Sequence, residues 1–288
     1  MSGIRRELNS KMAENCMVVL DTGPVRELAH SPRAPHWVSS FSAMKAHGYQ
    51  FSLADHACGE LINQRSRGSI NDRDFGAMID CLETFLDPAM PVMLGTKDIR
   101  VMIGAATQEN NKPDASDVSR QAWSMLRECE ISSDDLIEHV LHEDRAMWSD
   151  LFRKTEALYA AREHAGELDE YSHPLLSRVL ESFNADANTV PPLSTRYDLQ
   201  LRYFWRQFVR SKKEREPYNA DAPKKRNDGI DFGLYGYLAL PALIVATERG
   251  FFERIADIPS FQKAWIQRPE DLASSWAGGH QPQPTWPD

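Results

Sequence analysis

The chain has 288 residues, 42% of them apolar and 26% charged. At roughly 100–200 residues per domain this allows one large domain or two modest ones, and it excludes collagen-like and low-complexity chains. The net charge of −9 argues against a nucleic-acid partner held by the molecule's average field, but a basic strip described below reverses it locally.

Residues 1–15 are polar, mix basic and acidic side chains, and read as a lead-in without a secretory signal. Cys16 to Leu20 (CMVVL) is a Val-rich buried strand that stops at Asp21-Thr22-Gly23-Pro24, which reads as a turn. Residues 36–47 have helical spacing ended by Gly48, and Tyr49 to Leu53 form a second short strand. Asp55 suits the cap of a helix running to about Arg65 and closed by Gly68. Asn71 to Leu86 is amphipathic, with Phe75, Met78, Ile79, Leu82 and Phe85 on one stripe. Pro91 to Leu94 is a third strand.

From about residue 97 strand signals nearly vanish. Helical stretches at 116–129, 133–164, 173–186 and 196–215 predict an insertion over 111–216, between the two halves, 16–110 and 217–273, of an α/β domain. The second half holds a helix over 227–240, the buried strand Ala242 to Ala246 (ALIVA), a helix over 249–256 and a last strand at Phe261 to Ile266. The tail, 274–288, rich in Gly and Pro towards its end, is expected to be disordered. The longest apolar run, Leu238 to Ala246, has 9 residues, whereas a membrane span needs about 20. Cys16, Cys58, Cys81 and Cys129 form no CxxC pair, which predicts a cytoplasmic protein without a disulfide framework.

Strands alternating with helices at both ends predict a parallel sheet, and parallel sheets carry their sites at the carboxyl ends of the strands. Asp21 follows the first strand, Glu60 lies in the helix after the second, Asp228 and Asp231 lie near the start of the helix before ALIVA, and Thr247-Glu248 follow that strand. Clustered carboxylates repel one another, and a hard divalent cation relieves that repulsion. Each acid also has a plainer reading: a turn at Asp21, a helix-dipole partner at Glu60, an N-cap and its capping-box partner at Asp228 and Asp231, and a solvated acid at Glu248. The histidines show no HExxH or HxH pattern, and no GxGxxG, Walker A or GxSxG segment occurs. A dehalogenase-type phosphatase would need an acid where Gly23 stands.

The segments Val18-Val19-Leu20-Asp21-Thr22, Cys58-Gly59-Glu60-Leu61, Asn227-Asp228-Gly229-Ile230-Asp231, Ala246-Thr247-Glu248 and Arg268-Pro269-Glu270-Asp271-Leu272 together resemble the PIN-domain nucleases. The resemblance covers about residues 16–110 and 226–273. It departs from the family in the long helical insertion and in Glu248, where Asp is frequent. It implies a PIN-like parallel sheet with helices on both faces, and Mg²⁺- or Mn²⁺-dependent hydrolysis of RNA leaving 5′-phosphate and 3′-hydroxyl ends. Asp21, Glu60, Asp231 and Glu248 would be catalytic and would bind metal with Asp228, while Thr22 and Thr247 would contact the carboxylates, water or substrate. A toxin or defence role, an antitoxin-like protein inhibitor, and an oligomer are further implications. The alternatives are a DNA-directed nuclease and an inactive scaffold that binds RNA or protein.

Residues 202–226 carry nine basic against three acidic side chains. Arg202, Arg206 and Arg210 share a helix face among Tyr203, Phe204, Trp205 and Phe208, and Lys224, Lys225 and Arg226 lead into the Asp228 helix. These six are the candidate phosphate contacts, set against the plainer reading of a solvated basic face over an aromatic core.

Overall fold

Short Val-, Leu- and Ile-rich runs have no polar side chain to offer water, so they pair where helices can cover both of their faces. The computed structural model describes residues 16–31, 33–105, 114–128, 134–160, 189–213, 219, 222 and 226–287. Five strands, β1 (Met17–Leu20), β2 (Gln50–Ala54), β3 (Val92–Met93), β4 (Ala242–Val245) and β5 (Ile266–Gln267), form one all-parallel sheet of order 3-2-1-4-5. β1 is central, with Leu20 level with Leu53 of β2 and Val245 of β4. The residues that follow these three strands therefore emerge at one edge. The order reverses between β1 and β4, the point at which open parallel sheets carry a crevice outside the carboxyl ends of their strands.

Twelve α-helices accompany the sheet among the described residues: α1 (Thr22–His30), α2 (His36–Ala46), α3 (Asp55–Ser66), α4 (Asp72–Phe85), α5 (Thr96–Met102), α6 (Ala115–Glu128), α7 (Asp134–Ala160), α8 (Leu193–Arg196), α9 (Asp198–Lys213), α10 (Arg226–Gly236), α11 (Arg249–Glu253) and α12 (Pro269–Ala277). α4 is the expected amphipathic helix. Asn71 caps it by accepting from the Asp74 amide at 3.0 Å, and the predicted stripe is buried. α2 and α4 pack rings on β2: Phe41 stacks on Phe51 at 4.8 Å, and Phe85 meets Phe51 edge-on at 5.5 Å.

The described helices of the 111–216 region share the core of the sheet. Trp148 of α7, Phe204 of α9 and Phe232 of α10 are each less than 5% exposed, and Trp148 lies 5.7 Å from Phe204 and 5.1 Å from Phe232. α7 also packs against α3 and α10. The helix expected over 173–186, the lead-in 1–15, Lys224 and Lys225 lie outside the described residues. Among the described residues no helix is long and apolar enough to cross a membrane.

Three local expectations are corrected. Thr22-Gly23-Pro24 begins helix α1 rather than a turn, because Pro in a first helical turn removes no hydrogen bond the helix would have made. Residues 261–265 form a 3-10 turn, and only Ile266 and Gln267 join the sheet. The tail is packed, not disordered: Trp286 lies 4.8 Å from Trp265, and the Pro282 carbonyl accepts from the Tyr49 hydroxyl at 2.9 Å. That bond clips the tail beside the residue that enters β2.

Candidate functional site at the strand ends

Asp21 leaves β1 with its amide donating to the Val245 carbonyl of β4 at 2.9 Å, which pins it beside the crevice. It occupies the N-cap position of α1, where Asp ordinarily accepts from the helix's own amides, yet its side chain makes no such bond. The carboxylate turns instead to His56, whose Nε2 lies 3.3 Å from Asp21 Oδ1. The other ring nitrogen of His56 lies 3.5 Å from Asp55 Oδ1.

His56 is fixed by the register of β2. The strand ends at Ala54, α3 begins at Asp55, and the second residue of that helix points back over the sheet edge. Asp55 accepts from the His56 amide at 2.7 Å and from the Tyr237 hydroxyl at 2.6 Å. Gly95 leaves the space Asp55 needs, since a Cβ there would lie 2.5 Å from Asp55 Oδ2. The His56 side chain is 2% exposed. Burial pushes its pKa down, but the hydrogen bonds and charges of Asp21 and Asp55 more than reverse this and hold it well above the ordinary value. Burial likewise pushes Asp55 up. The bonds and charge of His56 and the Tyr237 hydroxyl outweigh it, and the net shift is downward.

The other acids reach the crevice from α10 and from the segment after β4. Asp228 lies in the first turn of α10, inside the helix rather than at its cap, and Asp231 follows three residues later on the same face. Asp231 pairs with Arg254, whose second guanidinium nitrogen lies 3.7 Å from Glu248 Oε1. Glu248 takes the N-cap position of α11 without capping it and is 61% exposed.

Two buried phenols lie within reach of these charges. Burial, first, and then the Tyr203, Asp21 and Asp228 sites raise the Tyr235 hydroxyl well above its ordinary pKa, with Arg206 opposing them. Burial and Asp228 push Tyr203 up to about 12, against the Gln207 hydrogen bond and the charges of Arg254 and Arg206. Asp21 and Asp228 are thus within electrostatic range of one hydroxyl, and Asp228 and Arg254 within range of the next. The buried Tyr235 and Thr22 hydroxyls have no hydrogen-bond partner.

Thr247 stands against Gly23, where a Cβ would lie 2.5 Å from the Thr247 hydroxyl. That hydroxyl serves Glu27, whose carboxyl is raised by burial and by Glu270 and lowered by Thr247. Glu60 is half-buried one turn beyond His56 on the same face of α3, and it makes no hydrogen bond or ion pair with the other candidate acids. Among the described residues no group of three or more His, Cys, Asp or Glu side chains is arranged to hold a metal ion.

The basic face of α9 is not the open phosphate surface that the sequence suggests. Arg206 is 1% exposed and pairs with Asp257 and with the Arg254 carbonyl; its neighbours Tyr203, Phe204, Trp205 and Phe208 are buried too. Arg210 also pairs with Asp257, at 2.8 Å, and Arg202 pairs with Asp198 at 2.6 Å. An arginine sealed in the core cannot reach a substrate, so Arg206 acts by clamping the 254–257 segment and thereby setting where Arg254 begins. Arg226 opens α10.

His56, Tyr237 and Arg254 are polar residues of this edge that the sequence reading left out, and Asp55, expected as a helix cap, is instead the first residue of α3, with Ala54 at the cap, and serves His56 and Tyr237. One signal was present: Asp55 and His56 directly follow a buried strand, the position that parallel sheets favour for sites. Compared with protein-family models, with curated proteins and with solved structures, the chain matches none.

Proposed function

We propose that this chain is a PIN-like phosphodiester nuclease acting on RNA, with Mg²⁺ or Mn²⁺ held by the acids at the β1–β4 crevice. One observation carries the reading. Asp21 directly follows the central strand and occupies a capping position, yet it turns its carboxylate away from its own helix to buried His56 at the strand edge. The sheet order and the placing of acids after β1 and β4 support it. So does the packing of α7 against α3 and α10.

The residues fit a hydrated divalent ion rather than a closed protein cage. Mg²⁺ commonly keeps several waters and uses one or two carboxylates together with substrate phosphate, so it does not require the group of three His, Cys, Asp or Glu side chains that is lacking among the described residues. Asp21 and Asp228 would hold the ion, with Asp231 and Glu248 able to join once Arg254 is exchanged. The unpartnered Thr22 and Tyr235 hydroxyls are polar groups that a bound water or phosphate oxygen would satisfy. When bound, the ion would supply an activated water and neutralise charge developing on the phosphate. His56 orients the Asp21 carboxylate, and Asp55 with Tyr237 orients His56. Lys224, Lys225 and Arg226 lie two to four residues before Asp228 in the sequence and remain the proposed backbone contacts.

The test is cleavage of matched RNA and DNA oligonucleotides with Mn²⁺. Asp21→Asn keeps the shape and a hydrogen-bond acceptor for His56 while removing a ligand charge. Cleavage should fall at least about 100-fold, the scale of losing one electrostatic contact in a transition state. Equal rates for variant and wild type would refute the nuclease, and faster cutting of DNA would change its substrate.

A second reading has its own observation. His56 and Arg254 already neutralise Asp21 and Asp231 from within the chain, as expected of a non-catalytic PIN-like scaffold binding RNA or a protein partner. Mn²⁺ titration followed by electron paramagnetic resonance separates the two, because the scaffold binds no ion.

A further inference from the structure

We infer that Arg254 is an internal competitor for the divalent ion, the cation that a metal must displace from Asp231 and Glu248. The inference rests on the metal-dependent reading above and concerns how that site is controlled. Asp231 is 9% exposed, and a carboxylate so buried needs a positive partner. Its partner is a guanidinium, which stays charged at every working pH and cannot stand aside by losing a proton. The same guanidinium reaches towards Glu248, so Asp231 and Glu248 lean on one cation.

The backbone beneath Arg254 is anchored. Arg254 ends the short helix α11, its carbonyl accepts from buried Arg206, and Asp257 holds the other side of that arginine. Its side chain is less confined, at 29% exposed against 2% for His56. A long side chain on a fixed base, partly open to water, can swing out while its carbonyl stays in place. Arg206 cannot take its place at Asp231, because Asp257 and the Arg254 carbonyl already engage it. Asp231 therefore has two alternative counter-charges, and metal affinity is the difference between them.

Mn²⁺ binding to the full chain, measured by calorimetry and by paramagnetic resonance, tests this without reference to activity. Arg254→Gln should bind Mn²⁺ at least about tenfold more tightly than wild type, equivalent to removing one partly buried ion pair of about 1.4 kcal/mol. Arg254→Lys keeps a charge but loses the fork that spans two acids, and should fall between the two. Thermal melts establish which variants are folded, and if the Gln variant is not, the Lys variant decides. Unchanged or weaker Mn²⁺ binding in a folded variant, with wild type binding the ion, overturns the competitor and leaves the nuclease reading standing. Absence of Mn²⁺ binding in wild type and variants alike overturns both. Binding only after Arg254 is replaced upholds the competitor and shows that in the wild-type chain Arg254 keeps the ion out.

Discussion

The two cations at the strand edge sit in unlike surroundings. His56 lies within hydrogen-bonding reach of Asp21 and close to Asp55, is 2% exposed, and is fixed from behind by the Tyr237–Asp55 bond at 2.6 Å. Arg254 reaches its acids from a short helix end and is 29% exposed; one of those acids, Glu248, is 61% exposed. Both neutralise carboxylates that would otherwise repel one another, but the first is woven into the core and the second stands at the rim. Charge in the core is costly to leave unpaired, while charge at the rim can exchange its partner for water or another ion. The β1–β2 side of the crevice is thus built to hold Asp21 still, and the β4 side is built to be rearranged.

The sharpest way to break this contrast is to remove the buried cation. His56→Leu fills the space but leaves Asp21 and Asp55 facing one another without the charge between them. Breaking a buried pair by deleting one partner costs about 3–5 kcal/mol, and the loss should appear as a lower midpoint in urea unfolding at neutral pH. If the loss is no greater than for an exposed residue, His56 is not the keystone of its side.

Titration sharpens the same contrast, because only one of the two cations changes charge in an accessible range. The folded-state pKa of His56 is raised, so the folded chain binds its proton more tightly than the unfolded chain does. Its contribution to stability is complete below the unfolded value, about 6.5, and is lost as pH rises through the higher folded value. Asp55 is held below its usual range, so its share is present above the ordinary carboxylate pKa and is lost as pH falls through the lowered one. Urea midpoints measured from pH 5.5 to 9 should decline on the alkaline side in wild type and stay flatter in His56→Gln.

The acids after the strands were legible for a physical reason. A parallel sheet must end all its strands at one edge, so an acid that follows an apolar run announces where it will lie. Strands of four or five β-branched or large apolar residues, as in Met17–Leu20 and Ala242–Val245, leave little else to read. The cations were not legible in this way. His56 and Asp21 are 35 residues apart, and Tyr237 and Asp55 are 182 apart. Such pairs arise from crossover geometry, and no local spacing encodes them. α1 was hidden because Asp-Thr-Gly-Pro is turn chemistry until strand pairing fixes the Asp21 backbone beside Val245. On the basic face of α9 only the place of Arg206 was hidden, because the aromatic side of that helix is wide enough to take it into the core, where Asp257 meets it, while Arg202 and Arg210 stay partly exposed.

The smallest effect belongs to the rim. Glu248→Gln removes the outer carboxylate of the Arg254 pair while keeping its length and one acceptor oxygen. The contact is 3.7 Å long and the carboxylate is mostly in water, so unfolding midpoints should move by no more than about 0.5 kcal/mol in stability. The consequence for Mn²⁺ has two opposing parts: one ligand charge is lost, and Arg254 is held less firmly at Asp231. If Glu248 serves mainly to steady the competitor, the variant binds Mn²⁺ at least as well as wild type; if it serves mainly as a ligand, binding weakens. A stability loss of several kcal/mol would instead mean that the β4 side is as tightly built as the His56 side, and that the difference between the two cations is one of exposure alone.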